Sequence, residues 1–304
     1  MHAALPNLII PGAPKAGTSS ICEYISNHPE VFVPSIKEPR YFISQEIKAL
    51  PDRDPLKKYL IRSSCLSEFE YRKIYDKTSA KIRVDSSVQY MFYHQAVIPR
   101  IKSLLGDPYI FICLRNPVDR AFSNFMYASN FEDKFELEIA REQEKINCGL
   151  NSFHLYVTQG FYYEQVRHYM SEFSRVKIVL FEDIKENTGV VVSELFDFLN
   201  LADCETDTRK IYNKSGKPKN AFLDYLIFKD NVLKQLLRPV VARITTVGNL
   251  QKLMLKLKSA STKKSVKDEM SCEIRNALTA TYKNDILKLQ DLIQCDLTNW
   301  IKES

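Results

Sequence analysis

The segment 8–28 constrains this chain more than any other stretch: Leu8-Ile9-Ile10, then Pro11-Gly12-Ala13-Pro14-Lys15-Ala16-Gly17, then Thr18-Ser19-Ser20 and the helix-forming run to His28. An apolar triplet, a turn with two glycines and a cluster of hydroxyl residues predict a short buried strand, a tight turn and the first turns of a helix. Such a unit binds anions. Gly12 and Gly17 allow backbone conformations and close approaches that a Cβ would obstruct, and Thr18, Ser19 and Ser20 supply hydroxyls and N–H groups where a helix begins. A phosphate suits the oriented N–H groups and the positive helix end.

The spacing of Gly12 and Gly17 is that of the triphosphate loop G-x-x-x-x-G-K-[ST], but Thr18 stands at the lysine position and Lys15 lies inside the turn. A Mg-dependent phosphoryl transferase needs lysine and metal together on the β and γ phosphates. A lysine displaced in this way suits a ligand with one bridging leaving oxygen. Pro14-Lys15-Ala16-Gly17-Thr18-Ser19 is similar to the loop P-K-[SAG]-G-T-[ST] of sulfotransferases that use 3′-phosphoadenosine 5′-phosphosulfate (PAPS). The resemblance implies that Lys15, Ala16, Gly17, Thr18, Ser19 and Ser20 hold the 5′-phosphosulfate. An ordinary strand-to-helix turn would contain the same residue types, so a second motif has to decide.

That motif follows Tyr109–Leu114, an unbroken apolar run of strand length that reads as a strand buried on both faces. Leu114-Arg115-Asn116-Pro117-Val118-Asp119-Arg120, continuing to Ser123, resembles the family's 3′-phosphate element [LV]-R-[ND]-P-x-[DE]-R-x-x-S, with a helix opened by Pro117. Arg115 and Ser123, a guanidinium fork and a hydroxyl, could clamp one phosphate. The alternative for Arg115 is a structural ion pair with Asp119 or another acid.

A third stretch, Ser35 to Phe42, is held out of a helix by Pro34 and Pro39. Its Lys37-Glu38-Pro39-Arg40-Tyr41-Phe42 resembles the loop that carries the catalytic glutamate in glycan sulfotransferases of the heparan-sulfate type and their bacterial relatives. The match implies Glu38 as general base and Lys15 as the group that stabilises the leaving oxygen. An ion pair of Glu38 with Arg40 or Lys37 is the competing reading, with Asp85 and His94 as reserves for the base. Lys37, Arg40, Asp85 and His94 are placed on the acceptor side; Asp85-Ser86-Ser87-x-x-Tyr90 is similar to the family's strand end beside the acceptor cleft. Gly160-Phe161-Tyr162 and Glu182-Asp183-Ile184 follow the family order as well. In Asn213 to Lys219 the residues Lys214, Ser215, Gly216 and Lys217 are candidates for closing over the 3′-phosphate, in a pattern closer to bacterial members; a plain solvated loop is the alternative.

The succession predicts an α/β fold: a three-layer parallel β-sheet flanked by helices, the P-loop NTPase-like sulfotransferase fold that the resemblance implies, with a helical C-terminal part. A single domain is expected over 1–304, with 1–220 as the PAPS-binding core and 221–304 as a helical extension. Helical spacing of apolar residues over 221–258 points to packing against the α/β body or against a second subunit, as in a homodimer, rather than against a membrane surface. The acidic stretch 131–153 reads as one helix with a solvated face.

A net charge of +6 without a dense basic run or a nucleic-acid module argues against nucleic acid as partner. Seven dispersed cysteines without C-x-x-C pairs fit a reduced, cytoplasmic protein without a metal site. Neither a signal peptide nor a bilayer-length apolar run is read, so no membrane anchor is expected. The expectation is transfer of a sulfuryl group from PAPS, leaving 3′-phosphoadenosine 5′-phosphate (PAP), to a hydroxyl or amine of a carbohydrate or small specialised metabolite, without a metal. A Mg-dependent P-loop nucleotide kinase and a non-catalytic nucleotide-binding protein are the alternatives.

Overall fold

A computed structural model describes residues 5–128, 134–204 and 270–302. All contacts given below lie within one compact unit, which holds the described residues 5–125, 134–204 and 270–302.

Five strands build one sheet: β1 (Leu8–Ile9), β2 (Val31–Phe32), β3 (Ile82–Asp85), β4 (Tyr109–Leu114) and β5 (Val176–Leu180), in the order β2-β3-β1-β4-β5. Every pairing is parallel. Parallel neighbours cannot be joined by a hairpin, so helices carry the chain back between strands. They are α1 (Thr18–Ile25), α2 (Ser44–Ala49), α3 (Lys57–Ser63), α4 (Glu68–Tyr75), α5 (His94–Leu105), α6 (Pro117–Ala128), α7 (Phe135–Ala140), α8 (Glu142–Asn147), α9 (Tyr163–Glu172), α10 (Phe181–Glu186), α11 (Thr188–Phe198) and α12 (Cys272–Ile293).

The strand order decides where a ligand can sit. From β1 the chain crosses to the edge strand β2 and returns to β3 on one side, while β4 and β5 extend the other, so the connections leaving β1 and β4 diverge at a topological switch point. Open parallel sheets bind ligands in that crevice. The register fixes its width: Leu8 lies opposite Tyr109 and Ile9 opposite Ile110, while Ile9 lies opposite Asp85 on the other side. Ile110, Phe111, Ile112, Cys113 and Leu114 have no exposed surface, which is why this strand is an unbroken apolar run.

The acidic stretch departs from the single solvated helix expected for it. α7 and α8 are separate helices, and Glu142 is buried while Glu136 and Glu144 are exposed. The Glu142 carboxylate accepts hydrogen bonds from the Val157 N–H (2.7 Å), the Thr158 N–H (2.6 Å) and the Thr158 hydroxyl (2.6 Å). Backbone donors of a turn need an acceptor when they are buried, and a carboxylate meets several at once. On α9, Val166 and Tyr169 point inward, whereas Met170 is exposed.

The end of the chain is part of the same body. Asp285 of α12 caps α9, accepting from the N–H groups of Tyr162 (2.8 Å) and Tyr163 (3.2 Å). Tyr282 donates its hydroxyl proton to the Val157 carbonyl at 2.8 Å, and Arg275 pairs with Asp119 of α6 at 2.9 Å. Trp300 is buried, and its carbonyl accepts from the Asn116 amide at 3.4 Å, next to Arg115. The helices expected over 221–258 lie outside the described residues. Among the described residues no helix is long and apolar enough to cross a membrane.

Gly160 is the narrowest point of this packing, because a Cβ there would lie 2.7 Å from the Tyr282 hydroxyl. Gly160→Ala should therefore displace the Tyr282 ring and cost roughly 1–3 kcal/mol in urea unfolding. A variant as stable as the parent would contradict this packing.

Candidate active site

The turn after β1 is held on three sides by backbone bonds. Ile10 donates to the Asp85 carbonyl (2.8 Å), Met91 donates to the Pro11 carbonyl (2.8 Å), and the turn continues the sheet beside β4 through Ala13 N–H to Cys113 O (2.6 Å) and Cys113 N–H to Gly12 O (2.9 Å). A Cβ on Gly12 would sit 2.8 Å from the Met91 Cβ, so the close approach of the two backbones requires glycine. Gly17 caps α1 at φ 90°, where a Cβ would also press on Phe181 at 3.2 Å. Lys15 is left-handed too, at φ 68°. For a residue with a side chain that conformation costs about 1–2 kcal/mol, so the surroundings must impose it.

Arg115 is part of what imposes it. Its Nη1 donates to the Lys15 carbonyl at 3.1 Å across 100 residues of sequence, and its guanidinium lies 4.5 Å over the Phe181 ring. The Tyr162 hydroxyl donates to the Arg115 carbonyl at 3.1 Å and fixes the backbone at this strand end. Burial lowers the Arg115 pKa from its ordinary value, and Asp119, Tyr162 and Glu182 push it back up. The ion pair with Asp119 that the sequence left open is not formed: Asp119 pairs with Arg275. Among the described residues no carboxylate lies within ion-pair distance of Arg115. The structure thus brings together Lys15, Ala16, Gly17, Thr18, Ser19 and Ser20, at the start of α1, with Arg115. Ser123 follows on α6, half-buried and without a side-chain hydrogen bond among the described residues. Lys214, Ser215, Gly216 and Lys217 lie outside the described residues.

On the other flank, Glu38 is joined to Arg40 through its Oε2 and the Arg40 Nη2, the pairing weighed above as the competing reading. Arg40 is buried, its Nη1 donates to the Ser63 hydroxyl at 3.2 Å and its guanidinium lies 5.8 Å from the Phe153 ring centre. Two of its guanidinium donors, Nη1 and Nη2, are thus turned to protein atoms. Glu38 keeps 15% of its side chain exposed and Lys37 is exposed, so these two can meet a substrate.

Asp85 and His94 take structural places instead. Asp85 has no exposed surface and receives hydrogen bonds from the hydroxyls of Ser87 (2.6 Å), Tyr71 (2.8 Å) and Tyr90 (3.0 Å). Burial pushes its carboxyl up to about 6 against these donors, and the charge of Glu38 adds to the rise. The His94 Nδ1 lies 2.9 Å from the His168 Nδ1 of α9; burial, then the neighbouring His168, hold its pKa down to about 4. Neither side chain is presented to an acceptor. Sequence reading missed Phe181, Ser63 and Tyr71 as neighbours of the site. Tyr71 lies in the charged stretch 43–80, where nothing local marks it, and it reaches Asp85 only because α4 packs under β3. Among the described residues no group of three or more His, Cys, Asp and Glu side chains is placed to hold a metal.

Comparison with known proteins assigns this geometry to a class. The family described as Sulfotransferase domain matches residues 5–221, and the chain belongs to that family. Its fold is that of a solved structure described as a sulfotransferase from Alicyclobacillus acidocaldarius: TM-score 0.73 and 27% identity over 98% of this chain and 100% of the other. The chain is also similar to carbohydrate sulfotransferase 15 of Homo sapiens (22% identity, 80% of this chain, 53% of the relative) and of Rattus norvegicus (22%, 69% and 46%). It spans about half the length of these curated relatives.

The buried Asp85 carboxyl makes stability depend on pH. Its folded pKa of about 6 lies above the ordinary 3.8, so the folded state holds the proton more tightly. The stabilisation it gives is therefore complete below the ordinary value and is lost as pH rises through 6, by about 3 kcal/mol in all. Urea unfolding at pH 4 and pH 7 should show this decline in the parent and a decline smaller by that amount in Asp85→Asn. Equal slopes would mean that the carboxyl is not buried in this way.

Proposed function

We propose that the chain transfers a sulfuryl group from PAPS to a hydroxyl or amine of a carbohydrate or small-metabolite acceptor. The observation that carries the reading is Arg115: a half-buried guanidinium beside the loop carbonyl of Lys15, with no carboxylate within ion-pair distance among the described residues. A cation held there at the cost of desolvation suits an anionic ligand. The loop fits the other end of that ligand, because Gly17 in the left-handed region opens α1 and leaves the first N–H groups of the helix without intrahelical acceptors. A molecule with two phosphate-like groups separated by a nucleoside matches two anion sites on adjacent strand ends.

In this reading Lys15 and the N–H groups of Gly17, Thr18 and Ser19 hold the 5′-phosphosulfate with Ser20 beside them, the Ser20 N–H itself bonding to the Gly17 carbonyl, and Arg115 with Ser123 holds the 3′-phosphate. Lys214 to Lys217 are proposed to complete the nucleotide site. The donor supplies a sulfur atom whose bond to the bridging oxygen breaks as the acceptor oxygen or nitrogen bonds to it. Lys15 offsets the charge that gathers on the departing oxygen. Glu38 takes the acceptor proton on a carboxylate oxygen. The ion pair with Arg40 holds that carboxylate in place. Lys37, exposed beside Glu38, is placed to meet an anionic or hydroxyl-rich acceptor. A glycan acceptor is the reading that similarity to carbohydrate sulfotransferases favours.

Two measurements test this. Glu38→Gln should retain PAP affinity in calorimetry while turnover of ³⁵S-labelled PAPS falls about 10²-fold or more; undiminished turnover would remove Glu38 from the mechanism. Lys15→Ala and Arg115→Ala should each weaken PAP binding by roughly 10-fold or more, the scale of a hydrogen bond to a charged group. Unchanged affinity in both would reject the nucleotide site.

A further inference from the structure

The Glu38 loop is tied down from below by a chain of bonds that converges on one carboxylate. The Arg40 N–H donates to the Ser87 hydroxyl at 3.0 Å and the Phe42 N–H donates to the Tyr90 hydroxyl at 3.2 Å. Each hydroxyl in turn gives its proton to Asp85, Ser87 to Oδ1 at 2.6 Å and Tyr90 to Oδ2 at 3.0 Å, with Tyr71 adding a third donor at 2.8 Å. Arg40, anchored through its backbone, reaches Glu38 with its side chain. The path Asp85, Ser87, Arg40, Glu38 is continuous.

Hydroxyl chemistry gives this path a direction. Serine and tyrosine hydroxyls carry a single proton each. An ionised carboxylate accepts and cannot donate, so it claims both protons and leaves the hydroxyl lone pairs for the loop amides. Arg40 is in the left-handed region at φ 54°, which its surroundings must enforce. The Ser87 bond to its N–H acts at that residue.

We propose that Asp85 is a positioning residue for the transfer reaction: through Ser87 and Tyr90 it orders the backbone of Arg40 and Phe42 and so aims the Glu38 carboxylate at the acceptor. Asp85 itself has no exposed surface and touches no substrate. The inference rests on Glu38 as the base, and it assigns to a buried acid the task of keeping that base in place.

A double-mutant cycle tests it, with conversion of PAPS to PAP measured on a glycosaminoglycan mixture and on water alone. Asp85→Asn and Ser87→Ala should each lower kcat roughly 10- to 100-fold, the scale of a misplaced catalytic group, while KM for PAPS and the calorimetric PAP affinity stay within about 2-fold. In the Glu38→Gln background neither change should lower kcat further, because they act through the group already removed. Full kcat in both single variants, losses that multiply onto Glu38→Gln, or losses traced to weaker PAP binding would each overturn the proposal. Hydrogen exchange at the Arg40 and Phe42 amides reads the clamp without any acceptor: exchange about 10-fold faster or more in Asp85→Asn supports it, and unchanged protection overturns it. Should Asp85→Asn not fold, Ser87→Ala carries the same comparisons. If Glu38→Gln alone keeps its turnover, the base assignment fails, whereas additive losses on an inactive Glu38→Gln sink only the role given to Asp85.

Discussion

The parallel pairing of β1 with β4 is the constraint on which the site depends. β1 is only two residues long, yet its pairing continues through Gly12 and Ala13 to Cys113, which carries the turn along the neighbouring strand until Lys15 meets Arg115. Two sequence motifs 100 residues apart meet because a register of parallel strands sets them side by side. Were that register shifted by a residue, the loop carbonyl and the guanidinium would part, and the left-handed conformation of Lys15 would lose one of the bonds that hold it.

Around this axis the charges are distributed by task. Several carboxylates of this unit are engaged by other groups: Asp119 holds Arg275, Asp285 caps α9 and Glu142 caps the turn at Val157 and Thr158. Glu182 acts on Arg115 from beyond ion-pair distance, while Glu38 has a fixed cation at its side. Asp85 shows the same economy in a different setting, since three hydroxyls hold it where it has no contact with solvent.

Much of the framework was legible because its signals are local. The apolar run Tyr109–Leu114, the proline that opens α6 and the glycine that caps α1 act on their own neighbours, and the elements fall where those residues put them. The family could be recognised for the same reason, since both of its motifs are contiguous in sequence. Other roles gave no local sign. Asp85, through its resemblance to the family's strand end, and His94, as a reserve for the base, were placed on the acceptor side, and they are buried partners of Tyr71 and His168 on other helices. Glu142 looked like one more solvated acid, and its burial follows from the turn that folds over it.

By itself the amino-acid sequence determined most of the strands and the first helices, the two family motifs and the loop of Glu38 between them, because spacing and backbone chemistry within a few residues suffice for these. The tertiary structure alone decided which acid pairs with which base, that Asp119 serves Arg275 and Glu38 faces Arg40, and that the last helix packs beside the second motif. Those outcomes depend on strand order and on burial. Both arise only when distant segments share one core, since the energy of a charge is set by what surrounds it in space.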